Sequence, residues 1–304
     1  MDILVFIVSI SVLVLGSEWF ISSAERIGLS FGISHFIIGV TIVAFGTSLP
    51  ELATSIVSVL TENSEVVMGN VVGSNITNIL LVLGLTAFVG KGIHMDFNVM
   101  KGDMPMLVAS AFLLYFTLQD GSFSLPEALL FLVALIIFLL SSLTGNEEEE
   151  DERPSVSARE WLLFILGGVF VYYGAVYTIE SLSSIATKMG VSPGLISLGA
   201  IALGTSLPEV VVSINAARKG KHAIAVGNVL GSNIFNTYAV VSISSFFGEL
   251  SMTPDLYFNL GFMVAVTLLF AVLCISKSIS RWEGAMLLVV YLYFMMELFA
   301  RISS

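Results

Sequence analysis

Two stretches of the chain, "AFGTSLPELATS" at 44–55 and "ALGTSLPEVVVS" at 202–213, set a proline and then a glutamate inside runs that are otherwise apolar. Pro50 has no backbone N–H, so in a helix the carbonyl of Gly46 loses its usual partner, and Pro208 does the same to Gly204. Carbonyls freed at membrane depth persist only where they are buried in protein or line a polar cavity. With the hydroxyls of Thr47 and Ser48 and the carboxylate of Glu51, they would form an all-oxygen cluster, the ligand set of hard cations. Thr205, Ser206 and Glu209 repeat the set. Thr47 and Glu51 are i and i+4, as are Ser74 and Asn78 on the next span, so each pair shares one side of its helix. Thr205 with Glu209 and Ser232 with Asn236 are the second-half equivalents.

Charge decides how such a cluster can work. An ionised side chain at the bilayer centre costs at least about 2.5–3.5 kcal/mol, and two neighbouring carboxylates repel each other. All twelve lysines and arginines fall in connections or at termini, so Glu51 and Glu209 have no fixed cation within the membrane. Their counter-charge must come from travelling ions, metals or protons. One Ca²⁺ balances two glutamates, two Na⁺ do the same, and a third Na⁺ leaves one positive charge. An empty site, holding repelling charges away from solvent, resists crossing between inward- and outward-facing states, so obligatory exchange follows.

Other readings stand beside this one. A Pro-Glu pair can simply start a helix, and "GSN" segments can serve helix packing, with the glycines at 69, 73, 227 and 231 allowing close approach. Proton-coupled calcium antiport satisfies the same charge arithmetic, and a cation channel also uses acidic pore residues. An enzyme is disfavoured: no HExxH motif is present, and no histidine is placed in the membrane to serve a serine. No cofactor site and no nucleic-acid surface is indicated, and no obligatory protein partner is implied.

The elements that must position these residues are membrane helices. Hydrophobic residues make up 56% of the 304 positions and charged residues 12%, far from the roughly one-quarter charged residues of a soluble domain. Apolar runs near 3–21, 34–61, 65–90, 103–119, 124–143, 158–186, 191–217, 222–247, 255–276 and 283–300 predict ten spans of an all-α integral membrane protein. The first span has no basic leader or cleavage site and reads as a retained helix. Cys274, the single cysteine, excludes an intrachain disulfide. With the amino terminus outside, ten of the twelve basic residues face inward and only Lys188 and Arg301 face outward, so both termini are expected outside a cell membrane crossed many times. His35, His94 and His222 then lie in inward connections. The acidic run "EEEEDE" at 147–152 lacks the glycine and ligand spacing of a calcium loop and reads as a solvated linker.

Sliding the chain by 158 residues superposes "GTSLPE" at 46–51 on 204–209 and "GNVVGSNITN" at 69–78 on "GNVLGSNIFN" at 227–236. The chain is therefore read as two five-span repeats, 1–144 and 158–304, joined by a cytoplasmic linker at 145–157. Five is odd, so the second repeat enters from the opposite side, the inverted architecture of many secondary transporters, with broken helices meeting at the midplane. Glu18 and Glu180 have no acidic counterpart at this offset and are placed near helix ends, at the interface. Gly16, Gly167, Gly168 and Gly174 mark spans 1 and 6 as a pair able to slide over the binding helices.

These motifs, two copies of "GTSLPE" each followed by "GNV-x-GSNI-x-N" on the next helix, resemble the alpha repeats of the cation/calcium antiporter superfamily in its sodium/calcium exchanger branch. The likeness covers both halves and is closest to a short prokaryotic-type exchanger without a large regulatory loop. It implies ion ligands at Ala44 (by its carbonyl), Thr47, Ser48, Glu51, Ser74 and Asn78, and at Ala202 (again by its carbonyl), Thr205, Ser206, Glu209, Ser232 and Asn236. It further implies Ca²⁺ and Na⁺ as transported ions, a calcium site between the glutamates and sodium sites beside it. Asn236 departs from the pattern: many members carry an aspartate there, and the amide makes potassium co-transport a poorer fit.

Overall fold

The computed structural model describes residues 2–95, 99–144, 154–189, 204–252 and 256–303. Fourteen helices follow one another among them. The first repeat of the sequence contributes α1 (Asp2–Ser30), α2 (His35–Ile38), α3 (Ala44–Thr47), α4 (Leu49–Leu60), α5 (Glu65–Thr77), α6 (Leu83–Val89), α7 (Asp103–Thr117) and α8 (Leu125–Thr144). The second contributes α9 (Ala158–Lys188), α10 (Leu207–Arg218), α11 (His222–Phe235), α12 (Val241–Ser245), α13 (Leu256–Ile275) and α14 (Arg281–Ser303). Eight continuous segments among the described residues are long and apolar enough to cross a bilayer. Of the other two expected spans, α7 is only 15 residues long, and the span at 191–217 is described from Gly204 onward. The acidic run at 147–152 and Ala202 lie outside the described residues.

Large apolar side chains cover the outside, among them Ile3 and Ile7 on α1, Val133 and Ile137 on α8, and Ile165 on α9. Such a belt is stable only against lipid. The chain is a multi-pass membrane protein.

Two short strand pairs tie the connections together. Ile93–His94 (β1) pairs with Ser278–Ile279 (β4), and Ser122–Phe123 (β2) pairs with Leu250–Ser251 (β3). Each pair joins connections that the basic-residue count assigns to the same side: inward for β1 and β4, outward for β2 and β3.

Helix α1 runs nine residues beyond the apolar stretch that ends at 21, through Glu25 and Arg26 to Ser30. Tertiary partners make this possible. Arg26 pairs with Glu160 at 3.2 Å, and Glu25 holds both Lys221 and His35, the latter at 3.1 Å. At about 1.5 Å per residue, a helix of 29 residues exceeds the roughly 30 Å hydrocarbon core and must tilt or project. Glu18 corrects the sequence expectation: it falls in the middle of α1, not near an end, and lies 3.5 Å from Lys219.

Helices α1 and α9 pack along their lengths. A Cβ on Gly16 would meet the backbone N of Val171 at 2.9 Å, and one on Gly174 would meet Leu13 backbone at 2.8 Å. Glycine is required here because the two backbones touch. The two segments carrying "GSN", by contrast, are the most enclosed of the eight, 78% and 94% buried.

Candidate ion-binding site

Each proline motif departs from α-helical backbone geometry at the residue before its proline-bearing helix. Ser48 sits at φ −88°, ψ 5°, between α3 and α4, and Ser206 at φ −84°, ψ 0°, just before α10. The helix restarts with its proline in the first turn, where the missing N–H costs nothing. Glu51 and Glu209 fall in the opening turns of α4 and α10. A helix N-terminus favours negative charge, which lessens but does not remove the cost of burying a carboxylate.

A second irregularity marks the neighbouring helices. A π turn over Asn78–Val82 follows α5, and another over Asn236–Val240 follows α11. Both start on an expected ligand. The extra residue rotates the chain at that point, and such turns recur at functional positions. The Asn78 turn packs against α10, the helix of Glu209, and the Asn236 turn against α4, the helix of Glu51.

Glu51 and Glu209 are completely buried, and their charges act on one another. Both oxygens of Glu51 and Oε2 of Glu209 have no hydrogen-bond partner. Ser48 donates to Glu209 Oε1 at 3.3 Å. Thr205 lies beside the Glu51 carboxylate and Thr47 beside that of Glu209. Among the described residues no lysine, arginine or histidine pairs with either glutamate; Lys219 and Lys221, which follow the helix of Glu209, pair with Glu18 and Glu25. The amide atoms of Asn78 and Asn236 and the hydroxyl of Ser206 are also buried without partners. Orphaned polar atoms of this kind call for an explanation, and an ion is one.

The remaining hydroxyls are oriented across the two halves. Thr47 donates to Asn228 Oδ1 at 3.0 Å and lies 3.4 Å from Ser232 Oγ. In mirror fashion Thr205 lies 3.5 Å from Asn70 Oδ1 and 3.3 Å from Ser74 Oγ. The two asparagines are themselves fixed: Asn70 donates to Ser55 at 3.0 Å and to the Glu51 carbonyl at 3.2 Å, and Asn228 donates to Ser213 at 2.9 Å. Asn70, Asn228, Ser55 and Ser213 were not among the expected site residues. The 158-residue offset that relates the motifs also relates these two pairs, and was the signal available. The Ala44 carbonyl accepts the Ser48 N–H at 3.0 Å and lies 3.3 Å from Thr47 Oγ1, so it is occupied within the protein.

Close backbone approach frames the cluster. A Cβ on Gly227 would lie 2.9 Å from the Val40 nitrogen, and one on Gly231 would collide with the Val40 carbonyl oxygen. Among the described residues, a Cβ on Gly69 would meet only Leu256, at 3.9 Å, and one on Gly73 would meet nothing within 4 Å.

A helical multi-span membrane protein with two buried carboxylates that no base pairs with among the described residues belongs to the class of ion transporters. Comparison with known proteins narrows the class. A family profile described as "Sodium/calcium exchanger protein" matches residues 1–144 and 159–300. The chain is similar to the sodium/calcium exchanger MaX1 of Methanosarcina acetivorans, 32% identical with 98% of each protein covered. It is also 33% identical to an uncharacterized membrane protein, MJ0091, of Methanocaldococcus jannaschii, over 94% of each. Among solved structures, the sodium-calcium exchanger NCX_Mj soaked with zero Na⁺ and Ca²⁺ superposes with a TM-score of 0.86 at 30% identity, covering 98% of both chains. The chain belongs to the sodium/calcium exchanger family.

Proposed function

We propose that this protein is a secondary antiporter that exchanges Na⁺ for Ca²⁺ across the cell membrane by alternating access. The observation that carries the reading is the pair of buried glutamates, Glu51 and Glu209, with no fixed positive partner among the described residues. Calcium sits between the two carboxylates, and sodium ions take the flanking hydroxyls and amides: Thr47, Ser48, Ser74, Asn78, Thr205, Ser206, Ser232 and Asn236. The Ala44 and Ala202 carbonyls join them when the local hydrogen bonds open. Either ion load removes the repulsion between the carboxylates, and only a loaded site crosses. That requirement couples the two fluxes.

The architecture that serves this function is two inverted repeats, 1–144 and 158–304, with the linker 145–157 on the cytoplasmic side and both termini outside. The matched non-helical backbone at Ser48 and Ser206, the matched π turns at Asn78 and Asn236, and the mirrored hydrogen bonds of Thr47 and Thr205 support it. Alternating access uses α1 and α9 as a pair sliding over the binding helices.

Radioactive calcium uptake into proteoliposomes, under separate sodium, potassium and proton gradients at clamped voltage, tests the proposal. Uptake should follow an outward sodium gradient and stop without a trans cation. Uptake driven equally well by protons alone would assign the chain to calcium/proton exchange, and uptake with no counter-ion would make it a channel.

A further inference from the structure

A cavity of about 330 Å³ lies between α9 and the helices of the candidate site. Its wall includes Pro50, Asn70, Thr205 and Pro208 on the site side and Tyr172 and Glu180 on the α9 side. Thr205 is the only expected ligand among the described residues that is not buried, and it lies beside Glu51. The cavity therefore ends at the lining of the glutamate pocket. Glu180 is its only charged wall residue among those described. It is exposed on α9 and has no ion pair among the described residues; the basic residue near the end of that helix, Lys188, is taken by Asp2.

We propose that Glu180 is a recruiting and specificity-determining carboxylate at the mouth of this cavity, which raises the local concentration of cations before they reach Glu51. The proposal rests on the antiport reading, and with α9 running outward from the linker it places Glu180 on the external side. A fixed charge in a cleft with low-dielectric walls focuses its field into the cleft. The effect grows with ion valence, because the Boltzmann factor is squared for a divalent ion: a potential that concentrates Na⁺ about threefold concentrates Ca²⁺ about ninefold. Glu180 thus favours Ca²⁺ over Na⁺ at entry without being a ligand of the bound ion. Screening limits its reach to about 10 Å at 0.1 M salt, so the advantage should fade at high ionic strength.

The test uses the full-length protein in proteoliposomes. Glu180→Gln should raise the external Ca²⁺ concentration for half-maximal exchange about three- to tenfold at low ionic strength, raise that for Na⁺ less, and leave the saturated rate unchanged. The Ca²⁺ shift should shrink to less than twofold in 0.5 M choline chloride. Glu180→Cys offers a second route, since Cys274 is buried: a sulfonate-bearing thiol reagent should restore the wild-type value and a neutral one should not. An unchanged half-saturation at low salt, a shift that persists at high salt, or equal rescue by the neutral reagent would overturn the proposal. Glu51→Gln in the same preparation keeps the two ideas apart. If it transports normally the antiport site is wrong, whereas a dead Glu51→Gln with a wild-type Glu180→Gln removes only the recruiting role.

Discussion

Thr47 donates a hydrogen bond of 3.0 Å to Asn228, a residue 181 positions away and on the other half of the chain. Asn228 is in turn pinned by its own donation to Ser213, so the hydroxyl of one repeat is aimed by the carboxamide of the other. Replacing Asn228 with alanine frees Thr47 and leaves Ser213 unpaired in a buried place. A buried hydrogen bond lost in this way costs about 1–1.5 kcal/mol, or roughly tenfold in affinity. Sodium binding by isothermal titration should weaken by about that factor in Asn228→Ala and in its mirror, Asn70→Ala. Wild-type affinity in both would show that the asparagines do not position the ligands.

The paired glutamates predict an unusual stability pattern. Without ions, both carboxylates are buried and uncompensated, so Glu51→Gln should unfold at a higher temperature than the wild type in chelator. A gain of about 1–2 kcal/mol corresponds to roughly 2–6 °C in a protein of this size. Adding Ca²⁺ should reverse the order, because the wild type gains about 2.7 kcal/mol at one hundred times its dissociation constant and the variant gains little. Thermal unfolding in detergent, with and without Ca²⁺, reads both effects, and exchange by Glu51→Gln and Glu209→Gln should be abolished.

Ion pairs between α1 and the binding helices gather at the connection between α10 and α11, which supplies Lys219 and Lys221. Glu25 holds Lys221 and His35, and Glu18 holds Lys219, whereas the Asp2–Lys188 pair joins α1 only to its companion α9. A clasp at that connection favours closure there. Each partly exposed pair is worth up to about 1 kcal/mol, so Lys221→Ala should shift the equilibrium toward opening there by up to about fivefold. A cysteine at Ala217, buried two residues before Lys219, should then react correspondingly faster with a membrane-impermeant reagent applied from the face that carries the clasp. No change in labelling rate would rule out a closing role for the pair.

Gly231→Ala adds one methyl group where the Val40 carbonyl already sits in contact. Backbone cannot yield as a flexible side chain does, so α11 must move away from the segment carrying Thr41 and Ala44. Overpacking of this kind costs about 1–3 kcal/mol, and calcium exchange should fall much further than folded yield. Gly220→Ala is a useful contrast, since that glycine has open space but a φ of +75°. Its cost should appear in stability alone.

The candidate site was legible in the chain because ionisable groups in apolar runs are rare, and an exact offset repeated them. Glu51, Glu209 and their hydroxyl neighbours needed only that pattern. Asn70 and Asn228 did not stand out, since an amide inside "GNV" gives no sign of whether it packs, binds or aims a neighbour. The π turns at Asn78 and Asn236 were invisible because one extra residue per turn changes no composition. Glu18 was misjudged because its partner, Lys219, is 201 positions away, and the same long-range pairing let α1 run past its apolar stretch. Burial among distant partners decided each of these cases, and local periodicity carries no record of it.

The mirrored hydrogen bonds also set the smallest unit able to function. Ser48 serves the glutamate that follows Pro208, and Thr205 adjoins the one that follows Pro50, so a severed half would hold its acid without the hydroxyls meant to line it. Two such fragments produced together from a cut gene have every reason to find each other in the bilayer, and neither has a use alone.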